Sequence, residues 1–432
     1  MKRAYAVVAA GTGEGKTLVA LALARALARA GYSVAPFKSG PDFLDARLYE
    51  ASCGQRARNV DLWLDGPERV TAELTRASSR GSAIVLEGMM GLFDGDDTGT
   101  TSTAHILSEN DIPALLVVDG WRMSQTAAAI ALGCAAMQPR VRIAGVILNR
   151  AGGAAHVAAV RRACVNAGVQ WMAAIPYNAR WTMPERHLGI DVRAFPALTE
   201  TIDEIAETLG TQLDLAAMFG APAAVNAETE EDEGGPMIAY AADDALWFTY
   251  PQTLDALRNA GAHCVPFSPL HDCALPHGTA GLWLGGGYPE SHASELAENE
   301  QLRREIAERI TGGMPAYGEC GGMMYLAEEL ETGSGTFPMV GALRGRTSIA
   351  APKLHIGYRR ASAARNSILD VGGDTFAAYE FHYASGTLDE TPAYESDGDH
   401  GAWREHVVAS FLHRRFFPGD ASIRRFVEQC TS

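Results

Sequence analysis

A glycine-rich stretch near the start of the chain has the residue types that bind phosphate. Gly13 and Gly15 precede Lys16 and Thr17, between an apolar run and a segment rich in alanine and leucine that favours a helix. In a strand–loop–helix of this kind the backbone N–H groups and the helix N-terminus attract phosphate, the lysine adds a positive charge, and the threonine hydroxyl can bind Mg²⁺. These residues predict a nucleotide site, and an ordinary glycine-rich turn is the alternative.

Polar residues also follow other predicted strands in the first half of the chain. Lys38 and Asp42 follow the second strand, and Glu87 and Asn149 each follow a later apolar run. Because the carboxyl ends of parallel strands line the ligand crevice, we expect Lys38 and Asp42 to face the phosphates, and Glu87 suits metal coordination or the ordering of water near a γ-phosphate. Lys38 would neutralise developing charge, and Asn149 could read an adenine edge. Asp42 and Glu87 would join Thr17 in binding Mg²⁺. For Lys38 and Asp42 the alternative is a turn with solvated charges.

A cysteine flanked by glycines marks a second centre of chemistry. Cys320 lies between an apolar run and a helical segment, in the stretch Gly318-Glu319-Cys320-Gly321-Gly322. A tight strand–turn–helix of this kind exposes the sulfur, and the N-terminus of the helix favours the thiolate. Of the seven cysteines, only Cys320 has this setting. The glycines at 285–287 also end a strand, and their free N–H groups could stabilise an oxyanion on a substrate that Cys320 attacks.

A thiolate nucleophile needs a base that manages protons, and the chain has twelve histidines. His413 follows a short apolar strand and is the candidate base. His382, in Glu380-Phe381-His382-Tyr383, is the main rival, and a structural role is the alternative for it. The residue types alone leave the choice between the two histidines open.

The composition limits the class of protein. A chain of 432 residues is too long for one ordinary core, so two domains are expected. The formal charge of −16 argues against a nucleic-acid or anionic-membrane surface. Seven cysteines without regular spacing indicate a reducing compartment. Neither a signal peptide nor a membrane-spanning apolar stretch is expected. We therefore predict a cytoplasmic enzyme that acts on small molecules.

The pattern of apolar runs predicts two α/β domains. Over residues 1–220 short apolar runs alternate with helical segments, which predicts a doubly wound parallel sheet. Residues 221–236 include an acidic block, which is expected to be a solvated linker and not a binding site. The alternation restarts over 237–432, with one helix predicted at 293–310 and a strand-rich end.

These motifs resemble those of the cobyrinic acid a,c-diamide synthase family. The first domain resembles the ATP-binding domain of that family, which is related to dethiobiotin synthetases, and the second resembles a class I glutamine amidotransferase. The motifs that carry the resemblance are Gly13-Glu14-Gly15-Lys16-Thr17, Phe37-Lys38-Ser39-Gly40-Pro41-Asp42, Glu87-Gly88-Met89-Met90-Gly91-Leu92-Phe93-Asp94-Gly95, Leu148-Asn149-Arg150, Pro184-Glu185-Arg186-His187-Leu188-Gly189, Gly285-Gly286-Gly287-Tyr288-Pro289-Glu290, Gly318-Glu319-Cys320-Gly321-Gly322, Glu380-Phe381-His382-Tyr383 and Ala409-Ser410-Phe411-Leu412-His413.

The resemblance implies an amide ligase that uses ATP, Mg²⁺ and glutamine. ATP would phosphorylate a carboxylate, and ammonia released from glutamine by Cys320 would attack the acyl phosphate. The implied substrate is cobyrinic acid, amidated on its a and c side chains during cobalamin synthesis, and His413 is the implied base. Amidotransferases with a full triad have a glutamate two residues after the histidine, where this chain has Arg415. The corrin-amidating branch also lacks that acid, so the group that orients His413 is left open.

Other functions stay open from the sequence. Cobyric acid synthase amidates other positions on the same ring and shares both domains, but its second motif departs from the Lys38–Asp42 form found here. A related enzyme would act on metal-free hydrogenobyrinic acid or on a nickel tetrapyrrole, nickel-sirohydrochlorin. From a different class, a P-loop partitioning or signalling ATPase would carry an inactive amidotransferase module and hydrolyse ATP without using glutamine. A homodimer is a further open expectation.

Overall fold

The computed structural model describes residues 1, 3–41, 46–96, 100–181, 195–223 and 234–431. The chain divides into two compact units, Met1–Glu228 and Thr229–Ser432. Most of the linker predicted at 221–236 lies outside the described residues, so the linker boundaries stay predictions. None of the helices in the described ranges has both the length and the apolar character that crossing a membrane requires.

The first unit contains a parallel sheet, as the alternating pattern predicts. Its strands are β1 (Ala4–Ala9), β2 (Val34–Ser39), β3 (Arg58–Val60), β4 (Ala83–Glu87), β5 (Ala114–Asp119), β6 (Ile143–Ala151) and β7 (Trp171–Pro176). The strand order is β3-β2-β4-β1-β5-β6-β7, and every pairing between these strands is parallel. Its helices are α1 (Lys16–Arg29), α2 (Ala46–Cys53), α3 (Pro67–Ser79), α4 (Thr103–Asn110), α5 (Thr126–Met137), α6 (Ala154–Asn166), α7 (Phe195–Gln212) and α8 (Leu215–Phe219).

Helices cover both faces of this sheet because its central strands are largely apolar and buried. Val7 belongs to one buried cluster and Val8 to another, as expected when successive side chains of a strand point to opposite faces. Helix α1 contributes its leucines and alanines to the first cluster, together with residues of α7. Two-sided burial of this kind is typical of parallel sheets and confirms the doubly wound α/β prediction.

The second unit is built on a six-stranded sheet, and two four-stranded sheets complete it, so the strand-rich end is confirmed. Its strands are β8 (Met237–Ala241), β9 (His263–Phe267), β10 (Thr279–Leu284), β11 (Ala316–Glu319), β12 (Ala327–Thr332), β13 (Gly335–Pro338), β14 (Leu343–Ser348), β15 (His355–Ala363), β16 (Thr375–His382), β17 (Ser385–Leu388), β18 (Tyr394–Ser396), β19 (Ala402–Arg404), β20 (Val407–Ser410) and β21 (Leu412–His413). The six-stranded sheet has the order β19-β20-β11-β10-β8-β9, with β19 antiparallel at one edge. Its helices are α9 (Pro251–Asn259), α10 (Ala293–Glu298), α11 (Glu300–Thr311), α12 (Gly321–Leu326) and α13 (Ala421–Gln429).

The single helix predicted at 293–310 is wrong, because α10 and α11 meet at Asn299. The backbone of Asn299 has φ −79° and ψ 60°, which lies outside the helical region. Its side-chain amide donates hydrogen bonds to the carbonyl oxygens of Pro269 at 2.9 Å and Asp272 at 2.8 Å. A tertiary contact with a neighbouring loop therefore accompanies a break that local helix propensity does not predict.

Candidate active sites

The glycine-rich loop of the first unit lies between β1 and α1 and is held by Asn149. Gly15 has φ 95°, and a Cβ atom at this position would overlap the Asn149 side chain. The Asn149 amide donates to the carbonyl oxygen of Glu14 at 2.9 Å. Asn149 therefore buttresses the loop from the end of β6, and its contact with an adenine edge stays a prediction.

A matched pair of glycine variants tests this buttress. Gly13→Ala and Gly15→Ala both place a side chain in left-handed backbone, which costs about 1 kcal/mol or more, but only Gly15 has Asn149 within reach. We expect Gly15→Ala to weaken nucleotide binding by about tenfold more than Gly13→Ala, measured by titration calorimetry. The double variant Gly15→Ala/Asn149→Ala should recover part of that difference, and equal losses in the two single variants would contradict the prediction.

Lys16 begins α1 and is largely buried, with 7% of its surface exposed. Its ammonium donates to the carbonyl oxygen of Gly11 at 2.7 Å. Burial lowers the pKa of Lys16, the carboxylate of Glu87 opposes this effect, and the nearby Lys38 ammonium lowers the pKa further. A cation held in this way gains from the arrival of an anion such as phosphate.

Glu87 ends β4, and its carboxylate accepts hydrogen bonds from three side chains of other elements. Its Oε1 accepts hydrogen bonds from the Thr17 hydroxyl and the Lys38 ammonium, each at 2.6 Å. Its Oε2 accepts a hydrogen bond from the Tyr49 hydroxyl at 2.8 Å. The structure thus brings together Thr17, Lys38 and Glu87, which the sequence placed in one crevice. Asp42 lies outside the described residues, so its predicted role as a metal ligand stays a prediction.

Sequence reasoning missed Tyr49, which lies on α2 and is fully buried. No motif or spacing marked it, because a tyrosine on the apolar face of a helix is usually a packing residue. Its hydroxyl is close to Glu87 only because α2 packs against α1 and β2, beside the strand that carries Glu87.

Cys320 occupies a sharp turn between β11 and α12. Its backbone has φ 49° and ψ −106°, an unfavourable region for a residue with a side chain, and 8% of its surface is exposed. The glycine that follows is required by close packing, since a Cβ at Gly321 would lie 2.9 Å from the backbone nitrogen of Gly287. The Cys320 sulfur lies 3.9 Å from the carbonyl oxygen of Phe381. The predicted strained turn is therefore present, but the prediction that it exposes the cysteine is wrong, because Cys320 is buried.

His413 ends β21 and is fully buried. Its Nδ1 lies 3.1 Å from Oε1 of Glu319, and its ring lies 5.9 Å from that of Phe248. Burial lowers the pKa of His413, but the negative charge of Cys320 and hydrogen bonds to Cys320 and Glu319 outweigh burial and raise this pKa to about 10. His413 is therefore hydrogen-bonded and electrostatically coupled to Cys320, which is the arrangement of a nucleophilic cysteine and its base.

The rival histidine, His382, is directed to other partners. Its Nδ1 lies 2.7 Å from the carbonyl oxygen of Ala384, and its Nε2 lies 3.0 Å from Oε1 of Glu380. Its ring stacks on Phe411 with the ring centroids 4.0 Å apart. Both ring nitrogens are thus used within a local network, and His413 is the histidine that faces the thiol.

The glycines that follow β10 were expected to offer free N–H groups, and this is wrong for Gly286. The N–H of Gly286 donates to the carbonyl oxygen of Phe248 at 2.8 Å, and the N–H of Phe248 donates back at 3.0 Å. This antiparallel bridge uses the donor that an oxyanion would need. The backbone nitrogen of Gly287 lies beside the Cys320–Gly321 turn, so Gly287 is still a candidate donor.

Sequence reasoning also missed Glu319, although it is part of the cysteine motif. The available signal was its position directly before Cys320, at the end of a predicted strand. Its distance of 94 residues from His413 in the sequence hid the contact between them. The place of the missing triad acid is taken by Arg415, whose guanidinium lies 5.6 Å from the centroid of the Tyr250 ring.

A nucleotide loop in one α/β unit and a cysteine–histidine pair in the other define a two-domain glutamine amidotransferase. Residues 5–190 match the CobQ/CobB/MinD/ParA nucleotide binding domain, and residues 237–421 match the CobB/CobQ-like glutamine amidotransferase domain. The hydrogenobyrinate a,c-diamide synthase of Brucella ovis is 36% identical to this chain, and the match covers 97% of this chain and 100% of that protein. The cobyrinate a,c-diamide synthase of Caldanaerobacter subterraneus subsp. tengcongensis is 31% identical, and the match covers 100% of this chain and 99% of that protein. The hydrogenobyrinate a,c-diamide synthase of Mesorhizobium japonicum is 38% identical, and the match covers 95% of this chain and 98% of that protein. The chain belongs to the a,c-diamide synthase family.

Proposed function

We propose that this enzyme converts the a and c side-chain carboxylates of cobyrinate into amides, with ATP as the energy source and glutamine as the nitrogen donor. The observation that carries the proposal is the pairing of His413 with Cys320, which lies in a strained turn, on the same chain as a nucleotide loop. The names of full-length relatives support the substrate class. A P-loop ATPase with an inactive second module does not account for the paired thiol and imidazole.

The first unit would activate the carboxylate. A substrate carboxylate oxygen attacks the γ-phosphorus of ATP, ADP leaves, and an acyl phosphate forms. Lys16 and Lys38 bring two cations to this crevice, and each is at most 7% exposed, so their charges act in a site with little water. Their part is to hold the phosphates in line and to stabilise charge in the transition state.

The oxygen donors around Glu87 fit Mg²⁺, the metal ion implied by a nucleotide site. The Thr17 hydroxyl and the Glu87 carboxylate lie 2.6 Å apart, and hard cations prefer such oxygen ligands. These two residues would hold the ion, and Asp42 is the third predicted ligand. When bound, Mg²⁺ would neutralise phosphate charge.

The second unit would supply ammonia. The Cys320 thiolate attacks the side-chain amide carbon of glutamine, His413 donates its proton to the departing nitrogen, and ammonia leaves a γ-glutamyl thioester. Water then hydrolyses the thioester to glutamate and restores the thiolate. The ammonia attacks the acyl phosphate in the first unit, phosphate leaves, and the amide remains. Each amide thus consumes one carboxylate, one ATP and one glutamine.

Hydrogenobyrinate is a second candidate substrate, because the relatives with 36–38% identity bear that name whereas the cobyrinate enzyme is 31% identical. Both candidates are tested by incubating the protein with ATP, Mg²⁺, glutamine carrying heavy nitrogen in its amide, and either tetrapyrrole. We expect mass spectrometry to show two labelled amides on one of the rings and none when ATP is omitted. A lack of amide on both rings would refute the proposal. Cytoplasmic location and a homodimer stay predictions.

A further inference from the structure

We propose that Glu319 orients His413 and takes the place of the acid that full-triad amidotransferases have two residues after the histidine. This inference rests on the proposed glutamine chemistry of Cys320. It makes Glu319 a positioning residue, because it acts through His413 and not on the substrate.

The Glu319 carboxylate is buried, with 4% of the residue exposed, and its contacts fix its orientation. Oε1 accepts a hydrogen bond from Nδ1 of His413 at 3.1 Å. Oε2 accepts hydrogen bonds from the Tyr317 hydroxyl at 3.0 Å and from the backbone N–H of Arg414 at 3.1 Å. A carboxylate held at both oxygens cannot turn away, so the imidazole it binds is held as well.

The contact also selects the form of the imidazole. Donation from Nδ1 to Glu319 leaves Nε2 to serve the Cys320 sulfur, which is the tautomer that a base for a thiol needs. In the Ser-His-Asp arrangement a buried carboxylate performs the same task, and its loss leaves the wrong tautomer.

The residues after His413 do not offer an acid. The Arg414 guanidinium forms an ion pair with Asp370 at 2.7 Å, and the Arg415 guanidinium lies over Tyr250. A cation at position 415 would repel an imidazolium. The acid must therefore come from another segment, and the turn that carries the nucleophile supplies it.

One turn thereby positions both the nucleophile and the acid. Glu319 is the register partner of Ser410 in the parallel pairing of β11 with β20, and the N–H of Cys320 donates to the Ser410 carbonyl oxygen at 2.8 Å. His413 follows three residues after Ser410. This short path from Ser410 couples the position of the imidazole to that of the thiol.

Loss of the Glu319 charge has a definite effect on protonation. Among the described residues, Cys320 and Glu319 hydrogen-bond to His413, Tyr379 is its register partner on the adjacent strand β16, and the Arg415 cation follows it by two residues. Both Cys320 and Glu319 raise the pKa of His413, so removing the Glu319 charge lowers that pKa. The imidazolium is then lost at a lower pH, and the thiolate loses its counter-ion with it.

The test compares Glu319→Gln and Glu319→Asp with Glu380→Gln, a change at another buried glutamate that contacts a histidine. Glutamine hydrolysis is measured from acid to alkaline pH. Alkylation of Cys320 by iodoacetamide is followed by peptide mass spectrometry, with exposed Cys273 as internal reference. Amide formation with ammonia as the nitrogen donor shows whether the first unit is still active.

For Glu319→Gln we expect kcat for glutamine to fall by roughly 10²-fold or more with little change in KM. The alkaline limb should move to lower pH, Cys320 alkylation near neutral pH should slow, and synthesis from ammonia should persist. Glu319→Asp keeps the charge and should keep the alkaline limb near its original pH, with a smaller fall in kcat. Glu380→Gln should leave the alkaline limb in place.

A value of kcat within threefold of the parent enzyme for both Glu319 variants would overturn the inference. The inference would also fail if Glu319→Gln lowered kcat by the same factor at every pH and Glu319→Asp lowered it just as much. If Glu319→Gln fails to fold, the alkaline limb and alkylation rate of Glu319→Asp decide between the outcomes. Alkylation needs neither ATP nor a tetrapyrrole. A protein that forms no amide would therefore refute the proposed function, while the alkylation rates would still test whether Glu319 orients His413.

Discussion

Replacement of Cys320 by alanine is expected to abolish synthesis from glutamine and to leave synthesis from ammonia close to that of the parent enzyme. The sulfur is the only atom of this side chain that can form the thioester, so no residual covalent route remains. The strain stored at φ 49° persists with alanine, so the fold of the turn should change little.

The measurement is amide formation on the tetrapyrrole with each nitrogen donor in turn. Glutamine-supported formation should fall by at least about 10³-fold, because the thiolate and its general acid act as one unit. Cys273→Ala is the matched control, because Cys273 is an exposed cysteine of the same unit, and it should retain both activities. Normal glutamine use by Cys320→Ala would show that the nucleophile is misassigned.

Replacement of Lys16 by methionine is expected to stop amide formation with both nitrogen donors while glutamine hydrolysis continues. Methionine keeps an unbranched side chain of similar length but removes the charge that would stabilise phosphate in the buried crevice. Loss of one positioned charge in such a site costs about 10²–10³-fold in kcat.

Three assays separate the effects of Lys16→Met: nucleotide binding by calorimetry, amide formation from ammonia, and glutamine hydrolysis. We expect the first two to be impaired and the third to persist, because Lys16 and Cys320 belong to different compact units. Lys353→Met removes an exposed lysine of the second unit and serves as the control for loss of a lysine. Retention of ammonia-dependent synthesis in Lys16→Met would place ATP activation elsewhere.

Local patterns in the sequence were enough to predict the glycine-rich loop and the cysteine turn. Gly15 and Lys16 lie next to each other in the loop, and Gly318 to Gly322 surround the nucleophile, so each motif forms within a few residues. The buried strands were also readable, because two-sided burial requires continuous apolar runs. The helix break at Asn299 could not be predicted from local sequence, since it involves contacts with Pro269 and Asp272.

The residue types in order along the chain therefore determined the fold class, the phosphate loop and the thiol turn. Only the tertiary structure decided which partners complete them: Tyr49 beside Glu87, Asn149 behind the loop, and Glu319 on His413. These contacts join residues 38, 135 and 94 positions apart. The packing of strands and helices brings them together, and no short sequence window contains both partners.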